Sequence, residues 1–229
     1  MHNLQDPKSS TQLVVHSDFN CPYCYLEFCR LRKAIELLPE HERPRLWHGP
    51  FELFEDTLPA KGVDKYDFLC KLYPKEILDG LLEILRKDFR DLGMELTIRK
   101  LGNSHKAHRL QVWADQNLDA MQALALKDQL FRVHSCLGKR MNDEAALLEA
   151  ASGAGLNIDR SQLKRILCDP KMDARHKKMT KHAQKKLHIA TVPCLMVIDD
   201  KGKETVLKKA TGIDTVEGFS DVLSNIIKQ

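Results

Sequence analysis

Positions 12–17 read Gln-Leu-Val-Val-His-Ser, a short apolar run rich in β-branched residues, and they predict a buried strand. The period changes at once. Cys24, Phe28, Leu31, Ile35 and Leu38 recur at steps of four and three, the apolar stripe of one amphipathic helix, and Pro39 marks its end. Pro22 falls at the first helical position, where a missing N–H costs nothing. Cys21 is thereby assigned the N-cap and Cys24 a place one turn inward on the apolar stripe. An exposed Cys21 and a shielded Cys24 follow. Residues 45–54 (RLWHGPFELF) supply a further strand, with Trp47 and Phe51 as core residues.

Beyond this strand the spacing is helical with few breaks. Residues 74–92 open on proline and acid and stop at Gly93; 104–116 carry Ala107, Leu110, Val112 and Trp113; 118–137 stop at Gly138; 142–151 stop near Gly153. A short helix follows Asp159. The basic stretch 175–188 also keeps helical spacing, with Met172, Met179, Ala183 and Leu187 apolar and Lys177, Lys178, Lys181, Lys185 and Lys186 on the remaining surface. It reads as a solvated helix face, or else as an attractor of anionic substrates. After Pro193 the pattern reverts to a hairpin, Cys194-Leu195-Met196-Val197-Ile198, the Asp199-Asp200-Lys201-Gly202 turn and Thr205-Val206-Leu207, and 215–227 form a last helix. In order this is an α/β chain: a thioredoxin-like fold (11–56 and 169–229) split by a large all-helical insertion (57–168).

Cys21-Pro22-Tyr23-Cys24 carries the clearest chemistry. Two thiols on a first helical turn can close a disulfide with little backbone movement, and the unpaired N–H groups and dipole of a helix N-terminus favour an anionic sulfur. Cys21 is the nucleophile candidate and Cys24 the resolving one. The alternative, half a zinc site completed by His105 and His108, fits less well, because zinc pairs sit in tight turns and not at the start of a helix after a buried strand. No metal site is expected.

Composition narrows the class. The chain has 229 residues, 43% hydrophobic and 30% charged, which suits a globular fold. A formal net charge of +4 gives little reason to expect nucleic-acid binding. The start, MHNLQDPKSS, lacks the apolar core of a secretory signal, no run reaches membrane-spanning length, and seven cysteines do not form the framework of a small secreted domain. A reducing, cytoplasmic location is expected.

Ser17-Asp18-Phe19 before Cys21-Pro22-Tyr23-Cys24-Tyr25, Leu31 with Lys33-Ala34, Pro50-Phe51-Glu52-Leu53, Asn103 with Ala107-His108-Arg109-Leu110, Thr191-Val192-Pro193 and Gly212-Ile213 stand in an order that resembles the DsbA-like thioredoxin family, in particular its FrnE-like disulfide oxidoreductases. The resemblance implies disulfide exchange with protein or small-thiol substrates by a Cys21–Cys24 redox pair. It also implies a cis bond before Pro193, with Thr191, Val192 and Pro193 binding an extended substrate and Asn103 and His108 approaching the site. No cofactor is implied, and glutathione is a candidate co-substrate. Two departures matter. The Pro-Tyr dipeptide lacks the basic residue of strongly oxidising relatives, which implies a less oxidising couple. Cys194, directly after Pro193, is either a small core residue or a third redox thiol. A related branch, the kappa-class glutathione transferases and 2-hydroxychromene-2-carboxylate isomerases, implies glutathione chemistry instead, although serine replaces the leading thiol there. A non-catalytic peptide-binding or chaperone module is a further alternative.

Overall fold

The computed structural model describes residues 12–54, 57–209 and 215–227; the Gly212-Ile213 pair lies outside them. Strand β1 (Gln12–Ser17) leads into helix α1 (Pro22–Glu36), which crosses over to β2 (Arg45–Pro50), parallel to β1. Strands β5 (Cys194–Ile198) and β6 (Glu204–Lys209) complete a four-stranded sheet in the order β2-β1-β5-β6, with β5 antiparallel to both neighbours. Between β2 and β5 come α2 (Lys65–Leu69), α3 (Lys75–Asp91), α4 (His105–Asn117), α5 (Ala120–Ser135), α6 (Glu144–Gly153), α7 (Arg160–Cys168) and α8 (Pro170–Lys185). Helix α9 (Val216–Ile227) packs on α1.

Local signals set the helix ends. Asp119 accepts the N–H of Gln122 at 2.8 Å and Gln122 reaches back to the Asp119 N–H, a capping box that starts α5. Asp143, Asp159 and Asp169 cap α6, α7 and α8 with their carboxylates, each accepting one backbone N–H of the first turn. Gly93 ends the α3 region at φ +74°, a left-handed conformation that glycine adopts without steric cost.

Strand alternation divides the core. Leu13, Val15, Leu195 and Val197 join the main cluster with Cys24, Tyr25, Phe28 and Leu31 of α1, while Val14, Met196 and Ile198 form a smaller cluster on the opposite face. The main cluster runs on into the helical segment without a break. Phe131 of α5 is its junction, with ring centroids 4.8 Å from Phe19, 5.3 Å from a stacked Tyr25 and 5.9 Å from Phe28.

Three local expectations need correction. The strand ends at Pro50, not at 54, because the Leu53 N–H donates to the Asp18 carboxylate at 2.8 Å and the chain leaves the sheet. Trp47 is only half-buried, on the smaller cluster, with the Arg45 guanidinium 3.9 Å above its ring; Phe51 is buried. In α8 the buried residues are His176, Thr180 and Ala183, with Met172 and Met179 half-buried beside them. A two-residue antiparallel bridge, β3 (Val63–Asp64) with β4 (Lys100–Leu101), and the five-residue α2 were not foreseen.

Candidate active site

Cys21 caps α1. Its backbone is extended (φ −98°, ψ 109°), Pro22 occupies the first turn, and its Sγ accepts the N–H of Cys24 at 3.3 Å. One orphan amide of the helix start is therefore aimed at sulfur, as a thiolate requires. No acidic side chain occupies this turn to oppose it. Cys24 is fully buried, and burial first, then the neighbouring Cys21 sulfur, pushes its thiol well above the ordinary cysteine range. The order of the two thiols, one at the cap and one enclosed, is the expected one. The expected exposure of Cys21 is not: only 7% of it is accessible. Lys65 of α2 reaches the carbonyl of Asn20 beside it, a contact no local pattern announces.

Lys65, at the start of α2, is itself buried, and its Nζ donates to the Asn20 carbonyl at 2.8 Å, one residue before Cys21. The same Nζ is 2.9 Å from His134 Nε2, and His134 Nδ1 is 2.8 Å from the Lys139 carbonyl. A proton on Nδ1 donated to that carbonyl leaves Nε2 as the acceptor for Lys65. Burial lowers the Lys65 ammonium to about 8, opposed by the charges of Cys21 and Asp18, and burial lowers His134 to about 3. Lys127 of α5 repeats the pattern on the other thiol. It is 1% exposed, its Nζ lies 5.4 Å from the centre of the Phe28 ring, and burial brings it to about 8 against the pull of Asp115 and Cys24.

Asp18 organises the loop between β1 and α1. Its carboxylate accepts the N–H of Asn20 at 2.9 Å and of Leu53 at 2.8 Å, and His108 Nε2 stands 3.6 Å away. Burial acts to raise Asp18, but His108 and the backbone donors win and hold it below the usual carboxylate range. His108 Nδ1 is 2.9 Å from His48 Nε2. The Asn20 amide donates to the Gly102 carbonyl at 2.9 Å, which ties the loop before α4 to the cysteine turn. Asn103, next in that loop, is half-buried.

Register places the Thr191-Val192-Pro193 segment. Cys194 pairs with His16, so Pro193 lies beside the end of β1, where the chain turns into Asp18 and Cys21. The Val192–Pro193 peptide bond is cis; Val192 and Pro193 are buried and Thr191 is exposed. Cys194 is fully buried and belongs to the main core cluster with Leu195 and Val197. His105 turns to Glu52, with Nδ1 2.8 Å from Oε1, so it and His108 serve different partners. Sequence reasoning missed Lys65, Lys127 and His134 because each resembles an ordinary surface residue of a helix.

A parallel β–α–β unit with a cysteine-capped helix, joined to an antiparallel pair and a closing helix, is a thioredoxin-type fold. The chain belongs to the DSBA-like thioredoxin domain family, whose model matches residues 12–224. No curated protein matches the chain. Among solved structures it is similar to a probable DsbA oxidoreductase from Streptomyces coelicolor (21% identity, 96% of this chain and 91% of that one, TM-score 0.75). It is also similar to the cytosolic disulfide reductase DsbM from Pseudomonas aeruginosa (18% identity, 95% and 98%, TM-score 0.66), whose structure with GSH aligns at TM-score 0.65. A 2-hydroxychromene-2-carboxylate isomerase aligns at TM-score 0.55 with 19% identity over 80% and 83% of the two chains. At these identities the likeness is one of fold. Among the described residues no helix is long and apolar enough to cross a membrane.

Proposed function

We propose that the protein is a thiol–disulfide oxidoreductase in which Cys21 attacks and Cys24 resolves. The observation that carries this reading is the Cys21 Sγ at the cap of α1, bonded by the Cys24 amide, with the second thiol enclosed one turn inward. Attack of the Cys21 thiolate on a substrate disulfide breaks that S–S bond, forms a mixed disulfide and expels one substrate thiolate. Cys24 then attacks the Cys21 sulfur. The Cys21–Cys24 bond forms, the second substrate sulfur leaves, and the departing thiolates take up the Cys24 proton and one from solvent. The substrate disulfide is reduced by two electrons and the pair is oxidised. The same steps in reverse oxidise a dithiol. Because Cys24 is held protonated by burial, it waits as a thiol until the mixed disulfide places a sulfur electrophile beside it.

Thr191, Val192 and Pro193 supply the ledge for an extended substrate in this reading, since their segment emerges beside the cysteine turn. Glutathione is the proposed small-thiol partner and the cytoplasm the proposed setting; the fold shared with a cytosolic disulfide reductase whose structure has been determined with GSH supports both. Asn103 and His108 take positioning roles in it, through the Gly102–Asn20 and His108–Asp18 contacts. Insulin reduction by dithiothreitol tests the reading. Cys21→Ser should abolish catalysis, and Cys24→Ser should accumulate mixed disulfides because the internal leaving path is gone. Full turnover by Cys21→Ser would overturn it, and substrate binding without turnover by the native protein would favour a peptide-binding module.

A further inference from the structure

A second chemical cluster lies between β2, α4 and α8. Glu52 follows β2, His105 is the first residue of α4 and His176 is in α8; their ligating atoms all fall within 4.8 Å of one another. Glu52 Oε1 stands 2.8 Å from His105 Nδ1 and 3.3 Å from His176 Nε2. Around a tetrahedral zinc ion with bonds of roughly 2.0–2.2 Å, neighbouring ligand atoms stand about 3.3 Å apart. The His176–Glu52 separation matches that spacing, and the shorter His105–Glu52 one is a hydrogen bond whose proton a metal ion would replace.

His176 provides the independent observation. Its side chain is 1% exposed, and neither ring nitrogen has a hydrogen-bond partner. Leaving such a group unsatisfied is unfavourable, because burial removes its hydrogen bonds to water and supplies none in return. Nε2 approaches Glu52 Oε1 at 3.3 Å without forming a hydrogen bond, a separation that two ligands of one metal ion also adopt. We propose that Glu52, His105 and His176 form a binding site for a divalent metal ion of the zinc type, through two imidazole nitrogens and one carboxylate oxygen, with water in the fourth position.

The surroundings supply the support such a site needs. His105 Nδ1 donates to Glu52 and Nε2 accepts from Arg109 Nη2 at 2.7 Å, so ligation through Nδ1 moves the ring proton to Nε2, where the Asp173 carboxylate, 3.6 Å away, is the acceptor placed to approach it and fix the tautomer. Arg109 then has to release Nε2, and it keeps the Leu167 carbonyl at 2.9 Å and its contact with Asp173. The bound ion would brace α4 and α8 against the loop after β2. Leu53, next to Glu52, donates to Asp18, so the brace extends to the loop that carries Cys21.

Thiolates also bind zinc, so the test uses the Cys21→Ala/Cys24→Ala protein. Cobalt(II) titration should show one bound equivalent with the visible absorption of a tetrahedral site and without thiolate-to-metal charge transfer. Zinc should raise its melting temperature. His176→Asn and Glu52→Gln should each weaken binding at least about tenfold and remove the thermal shift. If His176→Asn does not fold, His105→Asn, at the half-buried start of α4, gives the same reading. Substoichiometric binding, a thiolate signature alone, or unchanged affinity in the variants would overturn the proposal.

Discussion

The sheet layer and the helical segment contribute different things to one buried site. From β1 and α1 come both sulfurs, the helix terminus aimed at them and the Asp18 hub, all within residues 18–24. From α2 and α5 come Lys65, Lys127 and His134, brought from far along the chain. The sulfur side is stabilised by geometry that any helix start offers, whereas the charge side depends on burying two ammonium groups at a cost. Lys65 offsets that cost with two hydrogen bonds; Lys127 rests over the Phe28 ring. The Pro-Tyr dipeptide of the motif brings no cation of its own, so the nearby positive charge comes from the helices that roof it.

If the two regions share one core, breaking their junction should unfold both. Phe131→Ala removes the ring that meets Phe19, Tyr25 and Phe28, and should cost about 3–5 kcal/mol in a single cooperative urea transition followed by both tryptophan fluorescence and circular dichroism. Two separate transitions would show that the helical segment folds alone.

Asp18→Asn tests the sulfur side. An amide cannot accept from both the Asn20 and Leu53 N–H groups as a carboxylate does, so about 1–3 kcal/mol should be lost at neutral pH. The pH dependence has a definite sign. Asp18 is held below its ordinary value in the folded protein, so its contribution is present above the unfolded carboxylate range and disappears as pH falls through the folded value. Stability curves of the native and variant proteins should therefore converge in acid; a constant gap would contradict the ionised hub.

Lys65→Met tests the charge side and should have the smallest effect, about tenfold slower attack by Cys21, equivalent to about 1.4 kcal/mol. Its stability signature runs opposite to that of Asp18. A lysine lowered to about 8 binds fewer protons when folded than when unfolded. The native protein should gain stability relative to Lys65→Met as pH rises from about 8 toward the free-lysine value of about 10.4. A flat difference would mean that Lys65 is not buried as an ammonium group.

The same division explains what the sequence revealed. Strand β1, the capped α1, the helical run and the closing hairpin are written in local periods and caps, and motif spacing and resemblance made Cys21-Pro22-Tyr23-Cys24 with Thr191-Val192-Pro193 the candidate site, two segments that the sheet register brings side by side. Lys65, in Val-Asp-Lys-Tyr, reads as a surface lysine, since its burial comes from contacts with Asn20 and His134, both remote in sequence. His176 sits among lysines in a stretch whose composition favours solvent, and its place on the buried side of α8 depends on how that helix lies against β2 and α4. Glu52 reads as an outward strand position, yet the chain leaves the sheet at Pro50 and turns it inward. Burial of a polar group by a remote segment leaves no local period to read.

The most direct measurement is a redox titration of the native protein in glutathione buffers of graded poise, quenched by alkylation and mapped by mass spectrometry. The expected result is one two-electron couple in which Cys21 and Cys24 lose alkylation together and appear as a single disulfide-linked peptide. Cysteines 21 and 24 that stay alkylated at every poise, or a disulfide that joins Cys21 to Cys194 instead, would contradict it.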